Sequence, residues 1–189
     1  MYLFFDTETT GLPLNWKAPV DDLSNWPRLV QLAWLLYDRT GNLLSGADHI
    51  IRPEDFSIPV SASNIHGITH ARACREGSQI TGVLKEFSSV INRSEILVAH
   101  NMRFDEAIVG AEFLRQKMPN VLLSKKRICT MLKSTHFCKL DGAYGYKWPR
   151  LSELHYQLFQ ADFSEAHNAA VDIKVTAKCF FALQQKGVI

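Results

Sequence analysis

The 189-residue chain is 47% hydrophobic and 21% charged, ordinary for a globular protein and enough for one domain, 1–189, with a sizeable core. A net charge of +2 and a pI of about 8.3 permit a nucleic-acid partner without demanding one. The four cysteines form no C-x-x-C pair, no stretch reaches membrane-spanning length, and the apolar start is too short for a secretory leader, so a soluble, cytoplasmic protein with reduced thiols is expected.

Met1 to Phe5 is a short aromatic-rich run that reads as a buried strand. Asp6 and Glu8 follow it, two residues apart. Side chains at i and i+2 share one face of a strand, so the carboxylates project side by side. Held that close and partly buried, they repel, and a cation must offset them; hard divalent metal ions are the obvious candidates. Taken alone, D-x-E at a strand end is often a solvated loop edge. The following Thr9-Thr10-Gly11-Leu12 makes the signal more specific, because Gly11 allows a tight turn or a close approach to a ligand.

A loop from Pro13 to Pro27 carries Trp16 and Trp26 and leaves the first strand directly, where it could rim a site. Leu29 to Tyr37 reads as a second strand, Asp38 to Asn42 as a turn, and Leu43 to Ile51 as a third strand, which suggests an antiparallel meander. Ser63 to Thr69 reads as a His-Gly turn beside apolar residues. Ser78 to Ile91 has helical spacing, with Ile80, Val83, Leu84, Phe87 and Ile91 on one stripe. Ile96 to Ala99 is a short buried strand.

His100-Asn101-Met102-Arg103-Phe104-Asp105 leads into a helix reaching Met118, with Asn101 as a plausible N-cap and Asp105 in the first turn. By itself, an acid there simply complements the helix dipole. Arg127 to Cys129 reads as an edge strand and Thr130 to His136 as a helix. Asp141 to Arg150 mixes aromatics, glycines and basic residues, and suits a base-stacking loop or a packed surface loop equally well. Arg150 to Phe159 and Asn168 to Gln185 read as the last helices.

In that final helix Asp172, Thr176, Cys179, Phe180 and Leu183 fall on one largely apolar face, so Asp172 begins a core-facing stripe and needs a partner. His167 stands five residues before it, roughly 140° around a helix. Both could not face one ion from a regular helix, which places His167 on the entering loop.

Asp6/Glu8 with Thr9-Thr10-Gly11, His100-Asn101-x-x-Phe104-Asp105 and His167-x4-Asp172 together resemble the three motifs of the DEDDh, DnaQ-like 3′–5′ exonucleases. Asn64 to Thr69 matches that family's usual intermediate segment. The resemblance runs from Leu3 to about Leu183. It implies an RNase H-like α/β fold, a five-stranded mixed sheet flanked by helices. It implies metal-dependent hydrolysis of the 3′-terminal phosphodiester, releasing nucleoside 5′-monophosphates, with two divalent cations, Mg²⁺ or Mn²⁺. Asp6, Glu8 and Asp172 would hold one ion; Asp6 would bridge to a second, supported by Asp105. His167 would be the general base. Its ordinary pKa is about 6.5 and cations lower it, so activity should fall on acidification. Thr9, Gly11, Leu12, His66, Asn101 and Phe104 would contact the terminal nucleotide, although core packing suits Phe104 as well.

The Asp6 and Asn64 segments lean, by resemblance, to a DNA-proofreading type. The alternatives are an exoribonuclease trimming RNA or short oligoribonucleotides, and a non-catalytic nucleic-acid-binding domain. The complete set of four acids and a histidine speaks against the last. A DNA polymerase is a possible partner, but the sequence stops at Ile189 without the long C-terminal extension the bacterial proofreading subunit uses, so a stand-alone enzyme is expected. Monomer and homodimer stay open.

Overall fold

The structure, a computed structural model, describes residues 1–163 and 168–189. Among these residues the chain runs β1 (Tyr2–Thr9), β2 (Leu29–Tyr37), β3 (Leu43–Ile50), α1 (Val60–His66), α2 (His70–Glu76), α3 (Ile80–Arg93), β4 (Ile96–Ala99), α4 (Met102–Arg115), β5 (Lys126–Cys129), α5 (Thr130–Cys138), β6 (Asp141–Gly142), β7 (Gly145–Tyr146), α6 (Leu151–Phe159) and α7 (Ala169–Gln185). Five strands form a mixed sheet in the order β3-β2-β1-β4-β5. β1, β2 and β3 are the expected antiparallel meander; β4 pairs parallel to β1, and β5 parallel to β4. The expected architecture is present.

Strand periodicity decides which layer each β1 residue meets. Leu3 and Phe5 face the core beneath α3 and α4, with Phe87, Ile108 and Phe113. Phe4 faces the opposite way, packing with Ala169, Ile173, Ala177 and Phe180 of α7. Full burial of each such side chain contributes about 1.5–3 kcal/mol. By the same two-residue period, Asp6 and Glu8 continue the Phe4 row toward α7.

Three elements differ from the sequence expectation. The stretch read as a turn at Ser63–Thr69 holds the end of α1 and Thr69, the N-cap of α2; the two seven-residue helices are joined through Gly67 in the left-handed region at φ 73°. A 3-10 turn spans Val121–Ser124. The Asp141–Arg150 segment contains a two-residue ladder, β6 with β7.

Candidate active site

β1 outruns its parallel neighbour. Its pairing with β4 ends at Phe4 and Val98, whereas β1 continues to Thr9. Asp6, Thr7 and Glu8 therefore lie beyond the carboxyl end of β4, the crevice position where open α/β sheets bind ligands. The Thr7 amide, past the last β1–β4 pair, donates to Asp105 Oδ1 at 3.1 Å, and Thr7 Oγ1 donates to the same oxygen at 2.8 Å. Asp105 belongs to the first turn of α4 and is buried.

The turn that makes this possible is sharp. Asn101, at the N-cap position of α4, is left-handed at φ 79°, a conformation asparagine tolerates better than most residues. It makes no side-chain cap bond, which corrects the expected capping role. From the other layer α7 brings Asp172, and its own N-cap Asn168 accepts from Ala170 N at 3.0 Å. Ligand oxygens of Asp6, Glu8 and Asp172 lie within 4.8 Å of one another.

The carboxylates are electrostatically strained. Asp6 is held well above the ordinary range, by burial first and then by Asp105, Asp172 and Glu8. Glu8 is pushed to about 8 by burial, Asp172 and Asp105. Asp105 rises to about 7, burial outweighing the two Thr7 hydrogen bonds that favour its charged form. Among the described residues no ion pair engages Asp6, Glu8 or Asp105. An all-oxygen donor set of crowded negative charge fits hard divalent cations.

These acids line a cleft of about 360 Å³ whose walls include Leu12, Trp16, Asn101, Phe104 and Leu151. Leu12 is 70% exposed, an apolar side chain standing over a polar floor. The Phe104 ring is 5.7 Å from Trp16 in the cleft wall and also packs on the core, as expected for its packing role. The loop from Pro13 to Pro27 divides its aromatics: Trp16 rims the cleft, whereas Trp26 is buried with its indole donating to Pro19 O.

Other expected site residues stand behind the cleft wall. Thr9 Oγ1 donates to Gly11 O at 2.6 Å and closes the turn. Buried His66 lies against the Thr9 backbone and its Nδ1 accepts from Ile68 N at 3.1 Å. His167 lies outside the described residues.

Two residues of the site escaped the sequence reading. Thr7, between the two acids, drew no reading of its own. His100 was seen only as part of a motif; its Nδ1 meets Thr130 Oγ1 at 2.9 Å and its Nε2 meets the Pro149 carbonyl at 3.0 Å. That carbonyl accepts only, so the ring carries its proton on Nε2, and burial lowers its pKa to about 4. His100 is a neutral strut tying the 141–150 segment to the end of β4.

Comparison with known proteins agrees with this geometry. The RNase T family model, described as an exonuclease, matches residues 3–180. The DNA polymerase III epsilon subunit of Treponema pallidum (strain Nichols) is 32% identical over 177 residues, 93% of this chain and 73% of the relative. A PolC-type DNA polymerase III of Streptococcus sanguinis (strain SK36) is 32% identical over 123 residues, 64% of this chain and 7% of the polymerase. E. coli exonuclease I, solved in complex with a dT13 oligonucleotide, is similar in fold, with a TM-score of 0.76 at 20% identity over 97% of this chain and 40% of its own. The chain thus spans a small part of the PolC-type polymerase and two fifths of that exonuclease I chain.

Proposed function

Because the chain belongs to the exonuclease family, we propose that it removes nucleotides one at a time from the 3′ end of DNA, releasing nucleoside 5′-monophosphates. The observation that carries this reading is the convergence of Asp6, Glu8 and Asp172 within 4.8 Å beside the Thr7-anchored Asp105. Two relatives bear the names of DNA polymerase III proteins, and an exonuclease I of the same fold was solved with single-stranded DNA, which favours DNA over RNA.

Asp6, Glu8 and Asp172 are the residues that would hold one divalent ion, with Asp105 supporting a second; such ions, Mg²⁺ or Mn²⁺, supply Lewis-acid polarisation of the phosphate and charge stabilisation. Thr7 fixes the Asp105 carboxylate through two donors, so that acid keeps one orientation. Leu12 and Phe104 wall the cleft and take the terminal nucleotide between them, while the closed Thr9–Gly11 turn, backed by His66, sets the height of Leu12. His167, by its place in the motif, accepts the proton of the attacking water. Attack at phosphorus breaks the bond to the upstream 3′ oxygen, which takes up a proton from solvent water as it leaves. Asn101 and Trp16 wall one side of the cleft.

The test compares 3′-labelled single-stranded DNA and RNA of one sequence, with Mg²⁺ or Mn²⁺ and with EDTA. Faster release of labelled 5′-mononucleotide from DNA, lost in EDTA, is expected. Preferential release from RNA would overturn the substrate choice.

A further inference from the structure

We propose that a larger depression beside the catalytic cleft is the track for the single strand upstream of the scissile nucleotide, a proposal that rests on the exonuclease reading above. The two depressions share Trp16 and Asn101 in their walls, so they adjoin. The larger has a volume of about 1040 Å³ against about 360 Å³ for the cleft. Small-ligand sites run to roughly 300–1,000 Å³, so the cleft is sized for a single terminal unit and the depression, at the top of that range, offers room beyond it.

Its lining has the chemistry of a strand-binding track. Trp16 is 43% exposed and Trp148 64% exposed, and both rings line the depression. Neither belongs to a loose loop. The Trp16 carbonyl accepts from Arg103 Nη2 at 2.5 Å, and its ring abuts Phe104. Trp148 precedes buried Pro149, whose carbonyl is held by His100. Phe104 in the cleft, Trp16 at the threshold and Trp148 beyond form an aromatic series leading away from the acids.

The charge has the matching sign. Arg103, Arg127 and Lys133 line the depression with Glu106 as the acid. Arg127 pairs with Glu106 at 2.6 Å. Among the described residues Arg103 and Lys133 make no ion pair, and both are exposed. Exposed rings beside uncompensated cations fit a polyanion whose bases are free to stack, which is a single strand and not a duplex.

Binding of 5′-labelled oligo(dT) of two and of ten nucleotides, measured by fluorescence anisotropy in EDTA, reads the track without hydrolysis. The ten-mer should bind at least about tenfold tighter than the dimer. Trp148→Ala should weaken the ten-mer by roughly 5- to 150-fold and the dimer much less, and Trp148→Phe should restore most of the loss. With Mn²⁺ the same variant should raise KM for the ten-mer more than it lowers kcat. Equal penalties on both lengths, or ten-mer binding indifferent to Trp148→Ala, would overturn the track and leave the depression to another occupant such as a protein segment. Failure of the wild-type protein to hydrolyse either length in Mn²⁺ would instead sink the exonuclease reading, while the EDTA series still decides the track.

Discussion

Glu8 titrates near 8 and Asp105 near 7 in the folded protein, against ordinary values of 4.5 and 3.8. Between those limits the folded state binds more protons than the unfolded chain, so stability falls as pH rises through the window. Metal-free protein should melt at a lower temperature at pH 8 than at pH 5.5. Mn²⁺ should raise the melting temperature at pH 8 more than at pH 5.5, because a bound cation replaces the protons. Thermal melts in EDTA and in Mn²⁺ check both signs; an EDTA melting temperature that rises toward pH 8 would contradict them. Thr7→Val should remove one of the two donors to Asp105 and leave its buried oxygen short of a partner, at a cost of about 1–3 kcal/mol, measurable by denaturant titration. At this scale the acids were readable because a period of two places Asp6 with Glu8, and helix spacing places Asp172 on an apolar stripe. Thr7 was not, because its role depends on the left-handed turn at Asn101 that aims α4 back at β1.

Elements hold the acids in place through contacts remote from them. Glu112 of α4 is fully buried and accepts from Arg28 Nε at 2.8 Å, Arg115 Nη1 at 2.8 Å and Leu29 N at 3.2 Å. The Arg28 carbonyl and amide bond Thr10 in turn, so this network ties the turn after β1 to α4. Glu112→Ala should cost about 3–5 kcal/mol by stranding buried charge, a fall of about 10 °C or more in melting temperature by calorimetry. Gly110 serves the same packing. A Cβ there would lie 2.8 Å from Asn120 Nδ2 and 3.0 Å from Val20 Cγ1, so Gly110→Ala should loosen the loop that carries Trp16 and raise KM more than it lowers kcat in steady-state assays. The long strands and helices were legible from their periods. α1 and α2 were not: with seven residues each, they bury Ala62, His66 and Ala73, too few positions to show a helical period.

Across the whole molecule, topology does what no single motif can. A meander feeding a parallel extension leaves β1 in the centre with both faces covered, so its carboxyl end meets α4 from one layer and α7 from the other. Among the described residues no helix is long and apolar enough to cross a membrane. The expectation of a mixed sheet followed from strands preceding an alternation of helices and strands; the depth of the groove beyond Trp16 did not, because Trp16 and Trp148 are far apart in sequence. The most direct test of the catalytic reading is a time course on 5′-labelled single-stranded DNA with Mn²⁺, run beside EDTA and Asp6→Ala. A ladder shortening stepwise from the 3′ end, abolished in both controls, is the expected result. Release of the 5′ label as a mononucleotide at the outset, or degradation undiminished by Asp6→Ala, would contradict it.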